Sequence, residues 1–480
     1  MIYPNIENIT PEILKKLIDD SSSRHKEMKS LYERYKGTKD GVPILTRKYV
    51  IDGIEQKGKV NNKLANDFFS EIVDMKVGFF CGVPIAYTFD KEEYSEEQGT
   101  EITDKIQEFN KINSISDTDS ETAKRVTICG LSGRLFYFDS DNEDETVEVK
   151  IKQIDPWELI FLGDCVDDPE QTIRVYCTLD AQGEDVKHAD IYDDTTIRYY
   201  EKVKDNSAYV LVNTAPHKMP YNPLIGFCNN DEYLGDAEKV LPLIDAYDGA
   251  LSDISSEIEQ FRLAYLAAYG FEISEEVVTA AIKTGAFSIT DPQCKLEFLT
   301  KKLDDTIIEH HLDRLERNIY RFSRTPNMND QAFSGTITGV ALKYKFRAFE
   351  DKCTTSELKF KKSLREQSKI LAAIWKDSDS IELDYLDCEY VFTRKYPQNL
   401  TEEIDFLVKA KGVIPDTLAM SLVSFIEDPE KVKEELDEQQ QEKLDDFLSK
   451  TKNIDSSAPV GEAAPAQMGN NNMPMNGQST

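Results

Sequence analysis

Two stretches of the chain repeat apolar residues in alternating steps of three and four. Ile244, Tyr247, Leu251, Ile254, Ile258, Phe261, Tyr265 and Ala268 make the first, and Ile308, Leu312, Leu315, Ile319 and Phe322 the second. A two-in-seven stripe of this kind belongs to a helix packed along its length against a neighbour. At ~1.5 Å per residue the first rod is expected to run for roughly 40 Å, to about residue 270. Between the rods, SEEVVTAAIKTG reads as a short helix, and AFSIT and KLEFLT as strand-like pieces. Two rods that leave and return around a small module describe a stalk with a tip.

The remaining pattern alternates between helix and strand. Thr10-Pro11-Glu12 is an N-cap followed by Pro at the first helical position, opening a helix to about Tyr35, where Gly37 stops it. A second helix is expected from about Asn62 to Phe80, with Leu64, Phe68, Ile72 and Phe79 on one stripe. From Leu131 to Leu211 the signal is antiparallel strand: RLFYF, TVEVKIKQI, WELIFL, TIRVYCTL, TIRYYEKV and AYVLV, separated by Asp, Asn and Gly clusters. A third long helix runs from about Gly339 to Trp375, and IELDYLDCEYVFT returns to strand. Capped helices follow at Thr401, at Asp416 (through Phe425) and at Asp428-Pro429-Glu430, and the last 28 residues have the composition of a disordered tail. The fold class is α+β, mainly helical.

One polar stretch breaks this regularity. RTPNMNDQAFSGTITG, residues 324–339, separates two strong helices, although helix connections usually take about 2 to 8 residues. A loop that long is either disordered or functional.

Composition narrows the function. With 480 residues, 40% hydrophobic and 30% charged, the chain has the make-up of a soluble globular protein. Its formal charge of −32 repels nucleic acid and anionic membrane surfaces, so any dealing with DNA has to be weak, local or gliding. The eight cysteines show no paired spacing and read as reduced thiols of a cytosolic protein. No apolar run reaches the roughly 18 residues a membrane span needs, and MIYPNIENITPEIL lacks the layout of a signal peptide.

Catalytic patterns are missing. No G-x-x-x-x-G-K-[ST] loop is present, and GTITGVALKYK follows no strand, so it reads as a flexible loop entering a helix. DSDNEDET has Asp144 where a calcium loop needs Gly and Lys150 where it needs Glu, and reads as a solvated hairpin turn. His310 and His311 point about 100° apart on a helix and cannot share a metal. No catalytic residue, cofactor or metal is expected.

Two charge patterns carry more. Residues 343–369 hold nine basic residues against four acids, a local +5. On the second rod Arg314, Arg317 and Arg321 lie opposite the apolar stripe, whereas the first rod displays Asp245, Asp248, Asp253, Glu257 and Glu259. Faces of opposite sign on two rods suit either a repeated contact between copies, with Arg314, Arg317 and Arg321 set against Asp253 and Glu257, or plain solvation.

NNKLANDFFSEIVDMKVGFFCGVPI, IDPWELIFL, PLIDAYDGALSDISSEIEQF and HLDRLERNIYRFSRTPNMND followed by FSGTITGVALKYKF, in this order, resemble the portal proteins of tailed bacteriophages with long non-contractile tails. The resemblance runs from about residue 10 to 450. It implies a ring of roughly twelve copies at one capsid vertex, in the virion after assembly in host cytoplasm. Its partners would be double-stranded DNA in the channel, the packaging terminase, major capsid or scaffolding protein, and a head-tail adaptor, with no membrane. The implied layout is a wing over 1–235 (N-terminal helices plus the β region), a stem helix over 236–270, a clip over 271–303 and a second stem helix over 304–323. A tunnel loop over 324–338, the wing's long helix and strand over 339–397, a helical crown over 398–452 and the tail over 453–480 complete it. Asn327, Met328, Asn329, Asp330, Gln331 and Phe333 would then face DNA, and Glu275, Glu276 and Lys283 would meet partners at the clip. About twelve helices ~10 Å across, side by side, enclose a circle of about 40 Å, wide enough for a duplex. Two alternatives remain open: a head-to-tail adaptor or scaffold that binds only protein, and a packaging nuclease or ATPase, which would need a phosphate loop or a carboxylate cluster.

Overall fold

A computed structural model describes residues 2–56, 59–139, 148–203, 208–261, 265–269, 274–284, 295–299, 305–328, 339–394 and 400–421, with a few single positions beyond. The chain opens with β1 (Ile2–Tyr3), α1 (Pro11–Tyr35), α2 (Pro43–Thr46) and a hairpin, β2 (Val50–Ile51) and β3 (Ile54–Glu55). Then come α3 (Phe68–Cys81), β4 (Ala86–Phe89), α4 (Glu96–Ile112) and α5 (Ile115–Cys129). The strand region holds β5 (Leu131–Asp139), β6 (Glu148–Ile154), β7 (Leu159–Leu162), β8 (Gln171–Leu179), β9 (Asp185–Tyr192), β10 (Thr196–Lys202), β11 (Tyr209–Pro216) and β12 (Leu224–Cys228). After it follow α6 (Leu241–Phe261), β13 (Tyr265–Tyr269), α7 (Glu275–Thr284), β14 (Lys295–Leu299), α8 (Asp305–Ser323), α9 (Gly339–Asp379) and β15 (Cys388–Val391). A separate unit from Pro397 onward contains α10 (Leu400–Ala410) and α11 (Asp416–Ser421).

Local chemistry sets several boundaries where the sequence put them. Thr10 accepts a hydrogen bond from the Ile13 N–H, Pro11 occupies the first turn of α1, and Gly37 leaves it at φ +65°. A capping box between Ser95 and Gln98 opens α4, which the hydrophobic pattern alone did not reveal. Gly130 ends α5 at φ +80°, and a Cβ there would lie 2.2 Å from the Tyr233 carbonyl oxygen, so only glycine fits.

The strand region is two sheets, not one. β12-β5-β6 form a three-stranded antiparallel sheet, and β1-β7-β8-β9-β10-β11 a six-stranded one in which β1 runs parallel to β7. Helix α1 covers the six-stranded sheet, closing a core of Leu14, Leu17, Ile160, Leu162, Ile173, Ala189 and Ile191. A second core gathers Phe79, Phe80, Phe227, Phe346, Phe349, Phe360 and Trp375 between α3, β12 and α9. His25 of α1 lies against the Leu159 carbonyl oxygen at 3.0 Å, and burial pushes its imidazole down to about 4.

That shift makes a pH prediction. The folded imidazole is depressed below its ordinary 6.5, so between pH 6.5 and 4 the unfolded chain binds the extra proton and stability falls as pH falls. The loss levels off below about pH 4 and amounts to on the order of 3 kcal/mol in all. His25→Gln should flatten the urea midpoint over this window, and an unchanged pH slope would refute the assignment.

Three expected elements are corrected. The second helix starts at Phe68, not Asn62, and Leu64 lies outside it. The first rod ends at Phe261, about 31 Å long rather than 40. Tyr265 and Ala268 belong to β13, whose YLAAY pairs antiparallel with KLEFL, Tyr265 opposite Leu299 and Tyr269 opposite Lys295. A five-residue apolar run satisfies the helical and the strand period alike, and the pairing partner decided. KLEFLT thus finds its partner in YLAAY; AFSIT lies outside the described residues. On the second rod Leu312, Leu315 and Ile319 are buried as the stripe requires, but Phe322 is exposed. Helix α11 closes at Ser421; the stretch around Phe425 and the Asp428 cap are outside the described residues.

Candidate functional site

Helices α6 and α8 pack against each other, and Phe68 of α3 joins them, its ring meeting Tyr247 at 5.0 Å and Tyr320 at 5.9 Å. Alongside α6 lies residues 61–66 as an extended strap. The N–H groups of Asn62, Leu64 and Asn66 donate to Ser256 Oγ (2.8 Å), Ser252 Oγ (2.9 Å) and Asp248 Oδ1 (2.9 Å). Two extended residues advance about 6.6 Å and four helical residues about 6 Å, so every second strap residue meets every fourth helix residue. This match explains why NNKLAND is not helical: its backbone donors are already taken by α6.

The same arrangement absorbs the acidic face of the first rod. Asp245 pairs with Arg34 at 2.5 Å, Asp253 with Arg47 at 2.7 Å, Asp248 holds Asn66, and Glu259 accepts from Asn62 Nδ2 at 3.0 Å. Glu257 is half-buried and is not free either. Residues 34–66 of the same chain thus meet part of this face, and Asp253, 69% exposed in its pair with Arg47, stays open to a further partner. Arg314, Arg317 and Arg321 are exposed on α8, and among the described residues none has an acidic partner; Arg321 lies only over the Phe322 ring, at 5.8 Å. An open cleft between α3 and α8 is lined by Asp67, Glu71, Asp74 and Glu316.

Where α8 ends, the chain is tied down before it leaves the described region. Arg324 adopts φ +56°, the Thr325 N–H donates to the Tyr320 carbonyl, and Thr325 is buried. Asn327 Nδ2 donates to Glu316 at 2.8 Å, and Met328 is exposed. Of the other loop positions, Asn329, Asp330, Gln331 and Phe333 lie outside the described residues. At the other module, Glu275, Glu276 and Lys283 are all exposed on α7.

Beneath the end of α8 sits a polar cluster that sequence reasoning missed. Lys352 of α9 donates to the Ser323 carbonyl at 2.9 Å and pairs with Asp236 at 2.8 Å. Lys76 of α3 reaches the same carboxylate at 3.0 Å and also Asn229 (2.6 Å) and Ser356 (2.9 Å). Burial opposes the Asp236 charge, but the two ammoniums beside it hold its carboxyl far below the ordinary carboxylate range. Burial pushes Lys352 down, partly offset by Asp236. One signal was available: Lys76 falls on the buried stripe of Phe69, Ile72, Val73 and Phe80, where a lysine calls for a buried partner.

Part of the basic segment 343–369 is used inside the chain. Beyond Lys352, Lys359 pairs with Asp231 (2.6 Å), Lys362 with Asp167 (2.9 Å) and Lys369 with Asp168 (3.1 Å), so this side of α9 clamps the acidic loops after β7 and β12.

Among the described residues no group of His, Cys, Asp and Glu could hold a metal ion, and no helix is long and apolar enough to cross a membrane. The seven described cysteines are free. Residues 14–445 match the family described as phage portal protein, SPP1 Gp6-like. The portal protein of Bacillus phage SPP1 is 23% identical over 394 residues, covering 78% of this chain and 75% of that protein. That of Clostridium phage phiCD119 is 22% identical over 446 residues, 87% of this chain and 94% of its own length. The packed helix pair, the helix-and-strand module between its members and the match over most of the chain agree: this chain belongs to the SPP1 Gp6-like family of phage portal proteins, and its function is that of a phage portal.

Proposed function

We propose that the chain assembles into a closed ring of roughly twelve copies at a capsid vertex, forming the channel for DNA during packaging and ejection and the base for the tail. It has no catalytic activity of its own; a separate terminase drives the DNA. Assembly takes place in host cytoplasm, and the finished protein resides in the virion. The arginine stripe on α8 is the observation that carries this reading. A chain of net charge −32 keeps Arg314, Arg317 and Arg321 exposed, with no ion pair to any of them among the described residues, which fits a face completed by the next copy. Acids that could meet them on the next copy include those lining the α3–α8 cleft: Asp67, Glu71, Asp74 and Glu316. Residues 271–303 would be the clip, with Glu275, Glu276 and Lys283 open to the adaptor, and the stretch after Met328 the tunnel loop, acting through Asn329, Asp330, Gln331 and Phe333. Asn327 has its amide on Glu316, so it would serve to hold the loop's base while Met328 faces the channel.

Native mass measurement tests the reading. The wild type should give one closed species of about a dozen chains, and the triple reversal Arg314→Glu, Arg317→Glu, Arg321→Glu should lower ring yield at least tenfold while the subunit keeps its circular dichroism. Triple-variant rings of normal yield would remove the stripe from the interface, and a wild-type monomer would remove the ring. ATP hydrolysis or DNA cutting by the purified protein would overturn the non-enzymatic part.

A further inference from the structure

The hairpin β2–β3 is a pair of two-residue strands turned by Asp52 and Gly53, both at positive φ (49° and 79°). Its base is fixed. Arg47 bonds Asp253 on α6 and Asn61 on the strap, and the Asn61 amide returns a bond to the Arg47 carbonyl at 3.1 Å. Its tip is open: among the described residues, and apart from its two chain neighbours, no atom lies within 4 Å of where a Gly53 side chain would begin. Tyr49, Val50, Ile51 and Ile54 are all exposed, Ile54 to 67%. An isolated two-stranded hairpin is marginal in water, and four large apolar side chains on one carry no advantage unless something covers them.

We infer that this hairpin is an assembly arm whose apolar tip docks on a second copy of the chain. Two features select that occupant. The hairpin's own charges balance, Arg47 and Lys48 against Asp52 and Glu55, and residues 57–63 that follow it add Lys57, Lys59 and Lys63 with no acid, +3 in a chain of −32, so the flank of the arm is complementary to the bulk of its own protein's surface. The tip is apolar, which suits a protein surface and not a phosphate backbone. In a heterologous ring every copy both extends such an arm and receives one, and the rigid base on α6 fixes its direction. The inference rests on the ring reading for the presence of a neighbour, but it places the contact on residues 47–56, away from the α8 arginines.

The experiment uses full-length chains, half of them labelled with ¹⁵N, mixed before assembly and treated with an amine cross-linker. Links joining Lys48 or Lys59 of one isotope to a peptide of the other are expected. The variant Val50→Asp/Ile54→Asp should dissociate at a protein concentration at least tenfold above the wild type, with an unchanged urea midpoint for the subunit. Hairpin links confined to one isotope, together with variant rings as stable as wild type, overturn the arm and leave the ring intact. Intact variant rings that fail to enter capsids also overturn it, assigning the tip to capsid protein. A wild type that never forms rings and gives no mixed-isotope link overturns both.

Discussion

Asp236→Ala is expected to cost about 3 to 5 kcal/mol and to leave most of the expressed protein insoluble. The carboxylate is 2% exposed and compensates two ammoniums, Lys76 at 3.0 Å and Lys352 at 2.8 Å. Removing the anion strands two positive charges in a dry interior, and breaking a buried pair from one side typically carries a penalty of that size. Against a typical domain stability of about 5 to 15 kcal/mol it is a large fraction. A wild-type urea midpoint for Asp236→Ala would refute the argument. Lys76→Met supplies the control: it leaves a one-to-one pair with Lys352, so its loss should be clearly smaller. The pH dependence follows from the same charges. Because the folded carboxyl sits far below its ordinary 3.8, its contribution is complete above that value and is lost progressively as pH falls from there toward the folded value.

The second large effect belongs to Arg134. Its guanidinium is fully buried, bonded to Asp119 at 2.6 Å, to Gln367 at 2.9 Å and to Thr122, with the Phe227 ring 4.4 Å away. Arg134→Met should cost about 3 to 5 kcal/mol, because it leaves the charge of Asp119, itself 1% exposed, with no cation and only the Tyr87 hydroxyl beside it. Arg134→Lys should recover little: an ammonium cannot reach Asp119, Gln367 and Thr122 at once in a planar fork. Arg134→Met combined with Asp119→Leu should be less destabilised than Arg134→Met alone, since no lone charge remains. A double variant worse than the single one would show that packing, not charge, sets the loss.

Both clusters stand where several elements meet. Lys352 joins α9 to the last carbonyls of α8, the point from which residues 324–328 depart, and Lys76 joins α3 to the loop after β12. Softening this junction is expected to disturb the α6–α8 pair as well as the subunit, so ring yield should fall with either substitution.

The sequence by itself determined the elements whose information is periodic and local. α1 with its Thr10 cap, the buried stripe of α8 and the long α9 could be read from single segments, and so could the family, whose marks are short runs in a fixed order. Tertiary structure decided whatever depends on a partner distant in sequence. YLAAY became strand only because KLEFL pairs with it, NNKLAND stayed extended because Ser252, Ser256 and Asp248 take its donors, and the six β runs separated into two sheets. Charges followed the same division. Arg314, Arg317 and Arg321 are exposed as their helical spacing indicated, whereas several acids of α6 and lysines of α9 proved to have partners within the chain. A side chain's place on its own helix is fixed by the rotation per residue, but its partner is fixed by which elements the folded chain brings within about 3 Å, and no local pattern records that.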